Sequence, residues 1–380
     1  MSKWMYIAQA LLIAGVLYTL FRRQPLVLRL QIVGWVIGVI GIWWRYGEGQ
    51  LGFYSNDQIH YASIVRILVH ETWPRTIAWW LEFSKIPYPT AAYPLALIGV
   101  DGTLALKTTS LVFLLMLSRE LLQRHQFQNI IGQARVLYLT GCGLIGSFFS
   151  VLALRETVMM YFVYRFATDK SLGGRFASFA VLLLLRSHLA AALIVAELAL
   201  ALWKWLVGKR QLGYFETPAL ILIGVTLGTL LFSWRFVGLS RIQTPFTGDW
   251  GITETIQVAS NFAGLQFLTA HEAFIKLSIV DLLALRVVFS DTIMIPLVFT
   301  VACLVLNPLT RNRHRFTLLA FTIYVSIVTN TDFNSFRQNI PLMPLMGLVA
   351  LEVFQERREH RERREVAREP AAAVSSAYGT

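Results

Sequence analysis

Four short runs hold the residue types that could do chemistry. The first is Ser55-Asn56-Asp57-Gln58-Ile59-His60-Tyr61, which sets a carboxylate, an imidazole and a phenol within two helical turns. A carboxylate such as Asp57 can take a proton from an acceptor hydroxyl. It can equally hold a divalent cation, Mg or Mn, that bridges a pyrophosphate. The same Ser-Asn-Asp run also has the composition of a helix N-cap. The other three runs are built on arginine: Arg155-Glu156, Arg186-Ser187-His188, and Arg337 a few residues after Asp332. A guanidinium is a planar fork that fits phosphate oxygens two at a time. Three of them from three places in the chain would suit a phosphate or pyrophosphate, and an ion pair would equally account for each. His188 is a second group able to move protons, or a packing histidine. Lys107, near Asp101, adds another cation. The histidines at 60, 70 and 271 have no metal-ligand spacing, so Asp57 is the one expected metal contact, if the chemistry uses a metal.

These residues are embedded in a chain that is 56% hydrophobic and 15% charged, with 25 Phe, 11 Trp and 13 Tyr. A soluble domain carries about 25% charged residues. Apolar runs of about 17–25 residues recur, each long enough for a hydrocarbon core of about 30 Å. The expected fold is all-α: a polytopic transmembrane helical bundle of about eleven spans, N-terminus out and C-terminus in. Cys142 and Cys303 both lie in apolar runs and read as small packing residues. The net charge of +12 would raise nucleic acid in a soluble protein. Here the larger share of the basic residues falls in short loops and the tail, as the positive-inside rule requires, and no nucleic-acid partner is expected.

Spans one and two cover about Met5–Phe21 and Val27–Trp44, joined at Arg22-Arg23. Residues 45–103 form a first extracytoplasmic loop. Asp57–His70 has helical spacing, with Ile59, Ser63, Ile64, Ile67 and Leu68 along one side. Thr76–Phe83 reads as a second short helix, and Pro87, Pro89 and Pro94 as a turn. Both helices are expected to be amphipathic and to lie on the outer membrane face, with the loop aromatics (Phe53, Tyr54, Tyr61, Trp73, Trp79, Trp80, Tyr88, Tyr93) as an interfacial belt or as sugar-stacking rings. Later spans deliver Arg155-Glu156, Arg186-Ser187-His188 and the Asp332–Arg337 turn to the outer side. Residues 235–285 form a second outer loop. Residues 1–354 thus make a transmembrane catalytic domain. Residues 355–380 are a cytoplasmic tail of mixed charge, partly disordered.

In four places the chain resembles GT-C-type membrane glycosyltransferases and the related exopolysaccharide and O-antigen polymerases, which use polyprenyl-phosphate-linked sugars. Asn56-Asp57-Gln58-Ile59-His60-Tyr61 is similar to their acidic motif in the first large outer loop. Ala153-Leu154-Arg155-Glu156-Thr157 resembles their Arg-Asp/Glu turn. Leu185-Arg186-Ser187-His188-Leu189-Ala190-Ala191 resembles an Arg-x-His hairpin, and Phe336-Arg337 through Pro344 a late Arg-x-x-x-Pro segment. The resemblance implies that Asp57 is the catalytic base or metal-linked carboxylate. It implies that Arg155, Glu156, Arg186, His188 and Arg337 bind substrate or lipid phosphate, with His60, Tyr61, Lys107 and Asp332 as further candidates. The implied partners are a polyprenyl-phosphate-linked sugar donor, a glycan or lipid acceptor, and membrane lipid. The implied location is a bacterial inner membrane, active site outward. Two features depart from the family pattern: an extra span precedes the acidic loop, and Glu156 stands where Asp is common. A transporter or flippase of a lipid-linked or anionic solute would use the same arginines without chemistry, with Glu197 as its mid-span acid. A polymerase subunit or a scaffold of an envelope complex is the third expectation.

Overall fold

A computed structural model describes residues 3–46, 55–70, 87–123, 143, 146–147, 149–207, 219–220, 222–224, 226–228, 315–324, 340–349, 358–359 and 361. Every regular element among them is helical. In chain order these are α1 (Lys3–Leu20), α2 (Leu26–Tyr46), α3 (Ser55–His70), α4 (Pro87–Leu97), α5 (Gly102–Gln123), α6 (Glu156–Thr168), α7 (Leu172–Leu185) and α8 (Ser187–Val207). Two apolar stretches follow: α9 (Arg315–Tyr324), and α10 (Ile340–Val349), which opens on a 3₁₀ turn at Ile340–Leu342.

Leu26–Trp44 and Ser187–Leu206 are long and apolar enough to cross a membrane, and the bent pair α4–α5 makes a third passage if counted as one. Their outward faces stay greasy: Leu11, Leu12 and Val16 on α1, and Leu198, Leu202 and Trp205 on α8, are all exposed. Such faces fit hydrocarbon rather than water. The Thr76–Phe83 helix, the 235–285 loop, the Asp332–Arg337 turn and most of spans four, eight and nine lie outside the described residues.

The chain builds two contiguous cores. In the first, α1 and α2 form an antiparallel hairpin. Tyr6, Ala10, Ala14 and Leu17 face Leu28, Ile32, Trp35, Val39 and Trp43 at helical spacing. The rings of Tyr6 and Trp43 stack with centroids 4.4 Å apart, closing the open end of the hairpin. Gln31 Nε2 donates to Ser118 Oγ at 3.0 Å and ties α2 to α5. The second core gathers α3 to α8, α9 and α10 around Met159, Met160, Tyr164, Leu193 and Tyr324.

Three sequence expectations change here. Pro87, Pro89 and Pro94 do not form a turn; they lie in helix α4. Pro87 and Pro89 fall in the first turn, where a missing N–H breaks no intrahelical bond, and only Pro94 removes one. The real corner comes after α4, where the axis bends 114° into α5. Gly99 takes φ +88 there, and Gly99 and Val100 N–H close back on Ala96 and Leu95. Asp101 then caps α5, Oδ1 accepting from the N–H groups of Thr103 and Leu104.

Secondly, α3 packs into the bundle rather than lying on its surface. Its buried residues are Tyr61, Ala62, Ile64 and Val65, so the packed side shares only Ile64 with the predicted one, and Ile59 is exposed. Gly102 lies against this side: a Cβ there would stand in ordinary contact with Val65 and Ala62, at 3.4–3.5 Å. Thirdly, Tyr61 and Tyr88 are not belt residues but core, both fully buried.

Candidate functional site

Two of the three arginines predicted to act together, Arg155 and Arg186, arrive through two turns at one end of the bundle. The first turn precedes α6. Ala153 N–H and Leu154 N–H close on Ser150 and Phe149 carbonyls, a Schellman-type pair with Ala153 in the left-handed position at φ 55. Arg155 then occupies the N-cap of α6, and Glu156 its first turn. A carboxylate there is favoured by the partial positive charge of the helix start. Arg155 is 9% exposed and Glu156 0%, so both are inside the protein rather than in a headgroup layer.

The second turn joins α7 to α8. Arg186 is the C-cap of α7, its N–H donating to Leu182. Its side chain, 8% exposed, donates from Nη1 to the Tyr324 hydroxyl at 3.0 Å. His188 is half-buried, and its ring lies parallel to Tyr324 at 5.7 Å, 3° between planes. The two turns are stitched together by Arg155 Nη1 donating to the Leu185 carbonyl. Tyr324, from α9, thus meets Arg186 and His188, and Arg155 joins the group through the carbonyl of Leu185, the residue before Arg186.

α3 reaches the same end. Tyr61 meets Tyr88 edge-on at 5.3 Å. The Tyr88 hydroxyl bonds Leu106 carbonyl at 3.0 Å and Ser110 Oγ at 2.7 Å, and Ser110 donates to Leu154 carbonyl at 3.0 Å. Leu154 is the residue before Arg155. One ring contact and then a run of buried hydrogen bonds thus link the helix that carries Asp57 to the residue before the first arginine. Asp57 lies in the first turn of α3. His60 is half-buried beside Tyr61, ring centroids 5.9 Å apart.

Lys107 goes elsewhere. It is 0% exposed and turns toward the first hairpin, with Nζ 6.0 Å from the centroid of Tyr6. Asp332 and Arg337 lie outside the described residues. Among the described residues no three His, Cys, Asp or Glu side chains gather as a metal would need. Glu197, the mid-span acid, is ion-paired with Arg175.

Sequence reasoning missed Tyr324, Tyr88 and Ser110. Tyr324 had a signal: a phenol inside an apolar span must find a partner for its hydroxyl. Tyr88 was read among the belt aromatics, and Ser110 has no signal at all in an isolated helix. No protein-family model, curated protein or solved structure matches this chain.

Proposed function

We propose that this chain is an integral-membrane glycosyltransferase that moves a sugar or glycan from a polyprenyl-phosphate-linked donor on the extracytoplasmic side. The observation that supports it is the meeting of the Arg155 turn with the Arg186–His188 turn, the latter held on Tyr324, at the end of the bundle where α3 packs. In this reading Asp57 takes the proton of the acceptor hydroxyl. The acceptor oxygen bonds the anomeric carbon, and the bond from that carbon to the phosphate oxygen breaks. The lipid phosphate leaves with negative charge, which Arg155 and Arg186 stabilise. Each guanidinium carries five donors in a rigid fork, and bonds to Leu185 and Tyr324 fix the direction of that fork before substrate arrives. His188, held by the Tyr324 ring, lines the same site. Asp57 acts as the base here; if the reaction uses a divalent cation, Mg or Mn, the same carboxylate would hold it against the phosphate oxygens.

The test is Asp57→Asn in cells, read as surface glycan and as protein inserted in the membrane. Glycan should disappear while the protein level holds. Undiminished glycan in that variant removes Asp57 from the reaction. Formation of a new glycosidic bond by the purified chain, given lipid-linked sugar, separates transferase from flippase, which would move the lipid unchanged.

A further inference from the structure

Besides Trp35 Nε1, further along α2, the first core holds three buried side-chain donors that meet no acceptor among the described residues: Lys107 Nζ, the Tyr6 hydroxyl and Trp43 Nε1. They belong together. Tyr6 stacks on Trp43 at 4.4 Å, and Lys107 stands 6.0 Å from the Tyr6 ring. They come from three elements, near the start of α1, the end of α2 and the start of α5, so all three lie toward one end of the bundle. Asp101 is within electrostatic range of Lys107 and Tyr6. Its Oδ1 is committed to capping α5, and it forms no ion pair with Lys107.

Buried donors are almost always satisfied, and an unpaired buried ammonium is the costliest kind to leave so. The missing partner here must be an acceptor, and beside an ammonium it is best a negative one. Its natural depth is the headgroup layer, where Trp and Tyr collect. We propose that Tyr6, Trp43 and Lys107 bind a phosphate-class anion, in the form of an anionic lipid headgroup or a free phosphate. The ammonium supplies the charge; the indole and phenol supply two neutral donors. The site belongs to the first core and uses none of the residues around Tyr324.

The test uses the full chain purified in neutral detergent, with thermal unfolding followed as phosphatidylglycerol, phosphatidylcholine of the same acyl chains, or inorganic phosphate is titrated. Phosphatidylglycerol should raise the Tm saturably and phosphatidylcholine should not. A rise with inorganic phosphate alone names a soluble anion as the ligand and supports the site equally. In Lys107→Met the response should vanish, while the unliganded protein is as stable as the parent or more so, because an unpaired charge has left the interior. Trp43→Phe keeps the stack and drops the donor; it should weaken the apparent affinity by about threefold to tenfold. Equal shifts with both lipids, no shift with any anion, or a full response in both variants would overturn the proposal. None of these readouts depends on sugar transfer.

Discussion

Arg186 donates to the hydroxyl of Tyr324 across 138 residues of chain. The bond joins the turn between α7 and α8 to a helix from the far end of the sequence, and the same phenol ring carries His188 on its face. Tyr324→Phe separates the two roles. It keeps the ring for His188 and removes the acceptor for Arg186. The expected cost in stability is about 1 kcal/mol. On the proposed function, kcat for the lipid-linked donor falls several-fold with a smaller change in KM, because the guanidinium that meets the charge developing on the leaving phosphate loses its aim. Tyr324→Leu, which also drops the ring, should lower stability and kcat further.

Ser110 is the hinge pin between the tyrosine pair and the Arg155 turn. Ser110→Ala leaves Tyr88 its bond to Leu106 and leaves the Leu154 carbonyl without this donor. A loss of about 1–2 kcal/mol is expected. Faster amide exchange confined to residues around 153–157 would show that the loss is local to that turn.

Ala153 and Gly99 hold the same left-handed position after a helix end, one with a side chain and one without. Ala153→Gly relieves the strain and should raise stability, by up to about 1 kcal/mol after the extra freedom of the unfolded chain is counted. Gly99→Ala should cost a similar amount in the other direction. Unfolding midpoints of the two variants should therefore move apart.

Asp169, in the turn between α6 and α7, accepts from the backbone N–H and hydroxyl of Ser171 and from Arg165 at 2.6 Å. The Ser171 bonds chiefly, with the Arg165 charge, hold its carboxyl below the usual range. A depressed folded value means the contribution is present above the unfolded pKa of about 3.9 and fades as pH falls through the lower folded one. Asp169→Asn should remove that acid-limb dependence. The check is protection of the Ser171 amide followed downward from neutral pH.

The helical reading of Asp57–His70 anticipated α3 because its period is local, and the runs at Met5–Phe21 and Val27–Trp44 announced α1 and α2 by length alone. Which side of α3 would pack was not legible. Its apolar stripe is weak, and the packed side meets Tyr88, which arrives later in the chain. The prolines misled because their effect depends on position within a helix, and that position is fixed by the corner at Gly99. Counting spans brought Arg155 and Arg186 to one end. It could not say that a main-chain carbonyl at Leu185 would bind one of them, since carbonyls look alike in any sequence.

Gln9 grips the corner between α4 and α5 from both sides, donating to the Gly99 carbonyl at 2.9 Å and accepting from the Asp101 N–H at 3.2 Å. One amide on the opening helix thus braces a bend some ninety positions downstream. The corner can lock only once α1 is in place beside it. The leading helix therefore serves as a jig for later assembly, and a fusion that displaces it would leave the bend unbraced.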